Sequence, residues 1–131
     1  MTQVRQLRLV VTATDYDEAL TFFRDTLGLA QEGAYEANGG RVTILDVGRA
    51  TLEINDPAYA VYIDQVEVGR RVAGQIRVAF EVDDVESATG DLTAGGATVI
   101  APPTRTPWES LNARLDGPAG LQLTLFQELP D

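Results

Sequence analysis

The chain carries one strand-and-helix unit twice. Residues 7–19 read LRLVVTATDYDEA and residues 76–88 read IRVAFEVDDVESA, at a constant offset of 69 (77 minus 8 for the two arginines, 88 minus 19 for the two closing alanines). In each copy apolar residues first alternate with polar or small ones, the period of a strand with one buried face, and then fall at helical spacing behind acidic capping residues. An internal duplication of this kind restricts the fold to two similar halves, each built around one strand and one helix. Both copies place an arginine, Arg8 and Arg77, on the strand face opposite the leucine, isoleucine and valine side chains.

The first half reads strand, helix, strand, strand, strand. Leu7, Leu9 and Val11 form the apolar side of the opening strand. Tyr16, Ala19, Leu20, Phe23 and Leu27 then form a helical stripe, capped by Thr14 or Asp15 and stopped near Gly28. Asn38-Gly39 marks a hairpin between strands at about 30–37 and 41–47, and a third strand is expected over 50–55. The second half repeats the order. Ile76, Val78, Phe80 and Val82 give the buried side of its first strand, and Asp83 or Asp84 caps a helix with the stripe Val85, Ala88 and Leu92. Strands follow at 97–101, stopped by Pro102-Pro103, then at 111–115 and 121–127. Between the halves, residues 56–75 carry Tyr59, Tyr62 and Ile63, too apolar for a free linker, and are expected to pack on the body or on a partner subunit.

The expected fold class is therefore α+β. Two βαβββ repeats (4–55 and 76–128, joined by 56–75, in a single domain over 1–131) form a pair of curved mixed sheets around a concave cleft, each covered by a helix. With the apolar faces under the helices, alternation sends Arg8 and Thr12, Arg77 and Glu81, Glu53, and Gln122, Thr124 and Phe126 into the trough between the sheets. A face so polar does not suit a dry core; it suits a ligand cleft.

Composition narrows the chemistry of that cleft. The chain has no cysteine and no histidine, which removes disulfides, thiolates, and the commonest metal ligand and general base. Ten basic against twenty acidic residues give a net charge of −10, repulsive toward a nucleic acid backbone. No apolar run approaches the roughly 20 residues of a membrane helix, and the first residues lack the apolar core of a signal peptide, so no membrane partner and a cytoplasmic location are expected.

The duplicated order, the segment YDEALTFFRDTLGL at 16–29, AFEVDDV at 79–85, Pro107-Trp108 and GPAGLQLTLFQ at 117–127 together resemble the glyoxalase/bleomycin-resistance/extradiol-dioxygenase group, the vicinal oxygen chelate superfamily. The resemblance spans nearly the whole chain. It implies the two-half fold but no one activity, because the group includes isomerases, lyases, dioxygenases, thiol transferases and non-catalytic antibiotic-binding proteins. Metal-dependent members draw their ligands from the first and last strands of each half, which carries over to Arg8, Glu53, Arg77 and Thr124. Only Glu53 among these suits a metal, and two guanidiniums stand where a dication would sit, so neither metal nor cofactor is expected.

The first reading is a small-molecule binding protein that sequesters an aromatic or natural-product ligand, in the manner of resistance proteins. An arginine would hold a carboxylate, phenolate or carbonyl oxygen, and Trp108 would stack on a ring. Glu53 paired with Arg8 or Arg77, and Trp108 as a rim or dimer anchor, are the structural alternatives; Tyr35 is a further aromatic candidate. The second reading is a metal-independent lyase or isomerase with Glu53 as catalytic base. A third is a metal enzyme with ligands rearranged around Glu53 and Glu81. Half-domains of this size are marginal alone, so a homodimer is expected.

Overall fold

The computed structural model describes residues 9, 11, 13–37, 39–50, 57–74 and 76–130. The protein is α+β, with two open sheets and helices packed on the four-stranded one. Helix α1 (Tyr16–Leu20) opens with the Asp15 carboxylate accepting the Glu18 amide at 3.0 Å, so of the two expected caps Asp15 serves. It continues directly into a π-helical turn over Thr21–Thr26, closed by the Leu27 amide donating to the Phe22 carbonyl at 2.8 Å. This wider turn advances less per residue than an α-helix and changes which side chains face inward. Phe22, absent from the expected stripe, is fully buried, while Phe23 and Leu27 pack partly against the core.

Strands β1 (Ala30–Ala37) and β2 (Gly40–Asp46) form the expected antiparallel hairpin, with Ala37 opposite Gly40. Gly39 at its tip has φ +77, a left-handed conformation that glycine adopts without steric cost. Both strands are largely exposed. The opening strand around Arg8 and the third strand at 50–55 lie outside the described residues, apart from Leu9, Val11 and Ala50.

The second half matches its expected order closely. Strand β3 (Arg77–Glu81) is followed by helix α3 (Val85–Ala94), then β4 (Thr98–Arg105), β5 (Ser110–Asp116), a short 3-10 turn and β6 (Gln122–Glu128). The sheet order is β3-β6-β5-β4, with β3 parallel to β6 and the other pairs antiparallel. Asp84, not Asp83, caps α3, accepting the Ser87 amide at 3.1 Å. Val85 and Leu92 of α3 join Ala113, Leu115, Leu123 and Leu125 in the core, together with Phe22.

Two expectations for this half are corrected. Pro102-Pro103 does not stop its strand: β4 runs on to Arg105. Among the described residues it is an edge strand, and its register with β5 shifts between Ala101 and Thr104, so the missing amide hydrogens fall where ladder bonds are already interrupted. Ile76 lies just before β3 and is 63% exposed, so the buried side of that strand begins with Val78.

The joining segment contains helix α2 (Pro57–Glu67), which packs against β4 and β5. Past its last turn the Val68 and Gly69 amides both donate to the Asp64 carbonyl, at 2.8 and 2.9 Å, and Gly69, with φ +87, turns the chain away from the helix. The β3-β6-β5-β4 sheet therefore lies between two helices, with α3 on its apolar face and α2 on its polar face. Among the described residues no helix is long and apolar enough to cross a membrane.

Candidate functional site

On β5 and β6 alternation turns Asn112, Arg114, Gln122 and Thr124 away from α3, and these side chains meet the underside of α2. Residues Asp64 and Glu67, three apart on a helix, share that underside. Arg114 is completely buried, with Asp64 at 1% and Glu67 at 4% exposure. One guanidinium nitrogen, Nη1, donates to Asp64 Oδ1 at 2.7 Å and to Gln122 Oε1 at 2.8 Å; the other, Nη2, donates to Glu67 Oε1 at 3.0 Å. Arg114 Nε has no hydrogen-bond partner among the described residues.

Each carboxylate has further donors. Asp64 Oδ2 accepts the Val72 amide at 2.8 Å, the Ala73 amide at 2.9 Å and Arg71 Nη1 at 2.7 Å, so the loop after α2 wraps this one side chain. Burial acts on Asp64 most strongly and works to raise its pKa. The Ala73 amide, the Arg114 guanidinium, the Val72 amide and Arg71 together outweigh burial and hold the carboxyl well below the usual carboxylate range. Glu67 Oε2 accepts from Asn112 Nδ2 at 3.0 Å, and Ser110 Oγ donates to Asn112 Oδ1 at 2.7 Å.

This network reaches the residues singled out from sequence. Arg77 Nη1 donates to Thr124 Oγ1 at 2.7 Å, and Thr124 Oγ1 lies 3.5 Å from Glu67 Oε1. Gln122 links Arg114 to the Val72 carbonyl. The structure thus brings Arg77, Gln122 and Thr124 together. Glu81 and Phe126 are opposite each other at the far end of β3 and β6, Glu81 exposed and Phe126 half-buried. Trp108, in the turn between β4 and β5, is 41% exposed, and its ring lies 6.1 Å from that of Tyr62 on α2, which in turn stands 5.8 Å from Tyr59. Tyr35 is an exposed residue of the β1–β2 hairpin. Arg8, Thr12 and Glu53 lie outside the described residues.

The polar face expected to line an open trough is, on this sheet, covered by α2. Asp64, Glu67, Asn112 and Arg114 were not among the sequence candidates, although two signals pointed to them. Asn112 and Arg114 alternate with Leu111, Ala113 and Leu115, and the two acids share one helical face. A shallow concavity of about 340 Å³ sits elsewhere, at the hairpin tip, lined by Glu36, Ala37, Gly39, Gly40 and Arg41. It has no buried side chain to anchor a ligand.

A divalent metal does not fit the described residues at the family's ligand positions. A guanidinium cannot ligate, and Arg77 already occupies the Thr124 hydroxyl. The two buried carboxylates are engaged by arginines and amides, and no cluster of three or more potential metal-ligating side chains occurs among the described residues.

Comparison with known proteins agrees with this architecture. The family model described as Glyoxalase/Bleomycin resistance protein/Dioxygenase superfamily matches residues 5–125. Similar solved structures include a glyoxalase family protein from Bacillus cereus, 19% identical, with a TM-score of 0.65 and 99% of each chain covered. TnmS3, an antibiotic binding protein from Streptomyces sp. CB03234, is 22% identical with a TM-score of 0.65, covering 98% of this chain and 99% of its own. A glyoxalase-related enzyme from Fulvimarina pelagi is 18% identical, with a TM-score of 0.59 and coverage of 95% and 89%. Comparison with curated proteins finds no significant match.

Proposed function

Since the chain belongs to the glyoxalase/bleomycin resistance protein/dioxygenase superfamily, we propose that it is one of the members that bind a small organic molecule and hold it without chemical change. The observation that carries this reading is the Arg77–Thr124 hydrogen bond, continued through Glu67 to the buried Arg114. Where metal-dependent relatives assemble ligands for a cation, this chain carries guanidinium donors, here engaged by Thr124, Gln122, Asp64 and Glu67, of a kind that suits the carboxylate, phenolate or carbonyl oxygens of an organic guest. Trp108, partly exposed in the turn between β4 and β5, supplies a surface for an aromatic ring. The likeness to a fold used by an antibiotic binding protein favours a planar natural product as the guest, with sequestration as the outcome. A homodimer belongs to the same reading, because the described part of the first half offers little core of its own and its hairpin is exposed on both faces.

The test is a titration of the purified chain with planar aromatic natural products, followed by the emission of Trp108, the only tryptophan. Saturable quenching with the compound recovered unchanged is expected, and Trp108→Phe should abolish the optical signal while calorimetry still registers binding. Conversion of a bound compound would replace sequestration by catalysis. Absence of binding across such a panel would remove the proposal.

A further inference from the structure

Helix α2 is built inside out. Its apolar Tyr59, Val61 and Tyr62 are about half exposed, whereas its charged Asp64 and Glu67 are buried, with Ile63 the buried apolar side chain beside them. Surface helices ordinarily bury the apolar stripe and expose the acids. What recommends this orientation is what lies beneath: Arg114, wholly buried, and the Arg77–Thr124 pair, all donors on the polar sheet face. The two carboxylates satisfy those donors as an anionic ligand would. Arg114 Nε has no hydrogen-bond partner among the described residues. Charged contacts of this type also anchor a helix less firmly than an equally buried apolar face.

We propose that α2 is a displaceable internal occupant of the ligand face, and that Asp64 and Glu67 hold Arg114 in place of the anionic group of an aromatic ligand, which lifts the helix when it binds. The proposal rests on the small-molecule reading and adds to it the ligand class, an aromatic compound bearing a carboxylate, sulfonate or phenolate, together with a device that makes access depend on charge. The covered state lowers apparent affinity by the fraction of molecules in which the helix is displaced, so weakening its hold should tighten binding. The contact between Tyr62 and Trp108 breaks as the helix leaves.

Two probes with a common aromatic frame test this: 8-anilinonaphthalene-1-sulfonate, an anion, and the neutral N-phenyl-1-naphthylamine. In the wild-type chain, hydrogen exchange of residues 58–67 is expected to accelerate at least tenfold when the anionic probe binds, while the β5 and β6 amides stay slow. Glu67→Gln should tighten the anionic probe by roughly tenfold, and Arg114→Gln should erase the preference for it over the neutral probe. Unchanged or slowed exchange of 58–67 with the anionic probe bound would overturn the displacement, a result that needs no variant to fold. A folded Arg114→Gln chain that keeps the charge preference would overturn the anchor. Failure of both probes to bind the wild-type chain would instead count against the small-molecule reading itself.

Discussion

Replacing Arg114 with methionine gives the sharpest test of the buried network. The substitution keeps much of the side-chain volume but deletes a wholly buried cation that makes three hydrogen bonds at 2.7, 2.8 and 3.0 Å. The two carboxylates left behind are not equally harmed. Asp64 retains the Val72 and Ala73 amides and Arg71. Glu67 retains only Asn112 and a long contact to Thr124, with no cation in its described contacts. Removing one partner of a buried ion pair costs about 3–5 kcal/mol, because the other charge stays buried without compensation. With Asp64 still well solvated by its other donors, the expected cost lies at the lower end, about 3 kcal/mol, set mainly by Glu67. Adding Glu67→Gln removes that stranded charge and keeps an oxygen for Asn112. The double variant should therefore recover about 1–2 kcal/mol over Arg114→Met alone, a coupling within the range seen for contacting residues. Urea denaturation followed by Trp108 fluorescence, at fixed protein concentration, measures both variants, and an unchanged m-value licenses the comparison. A cost below about 1 kcal/mol for Arg114→Met would match a solvent-exposed pair instead, and purely additive losses in the double variant would show that Glu67 does not depend on Arg114; either result refutes the reasoning.

Other substitutions probe separate parts of the fold. The Asp64 carboxyl is held below its ordinary range, so its stabilising contribution is complete above an unfolded pKa of about 3.9 and is lost as pH falls through the folded value. Denaturant midpoints for wild type should accordingly drop below about pH 4 more steeply than those of Asp64→Asn, and parallel profiles would contradict this. A Cβ at Gly95 would stand 2.6 Å from Thr26 Cγ2, so Gly95→Ala should cost about 1–3 kcal/mol and Thr26→Ala should restore most of it, as judged by thermal midpoints. Phe22→Ala, which empties a fully buried site in the core, should cost about 3–5 kcal/mol, and a loss under 1 kcal/mol would show that the π-helical turn does not place Phe22 in the core.

The repeat from Leu7 to Ala19 and from Ile76 to Ala88, the Asn38-Gly39 turn and the alternation along 121–127 depend on neighbours in sequence, through side-chain period, capping and turn geometry, and so could be read directly. The pairing of Arg77 with Thr124 was legible as a shared face, since parallel strands with matched alternation bring such residues together. The passage of β4 through Pro102-Pro103 depended on that strand lying at the sheet edge, a position no local pattern announces. The inward turn of Phe22 followed from a π-helical widening that the spacing of apolar residues does not reveal.

The repeated motif at 7–19 and 76–88, and the alternation that gives a polar sheet face rich in hydrogen-bond donors, were legible in sequence alone. Only the tertiary structure decided what covers that face. A helix carrying both aromatic residues and acids can bury either side, and the choice was made by a guanidinium far away in sequence, on β5, that required counter-charges once water was excluded.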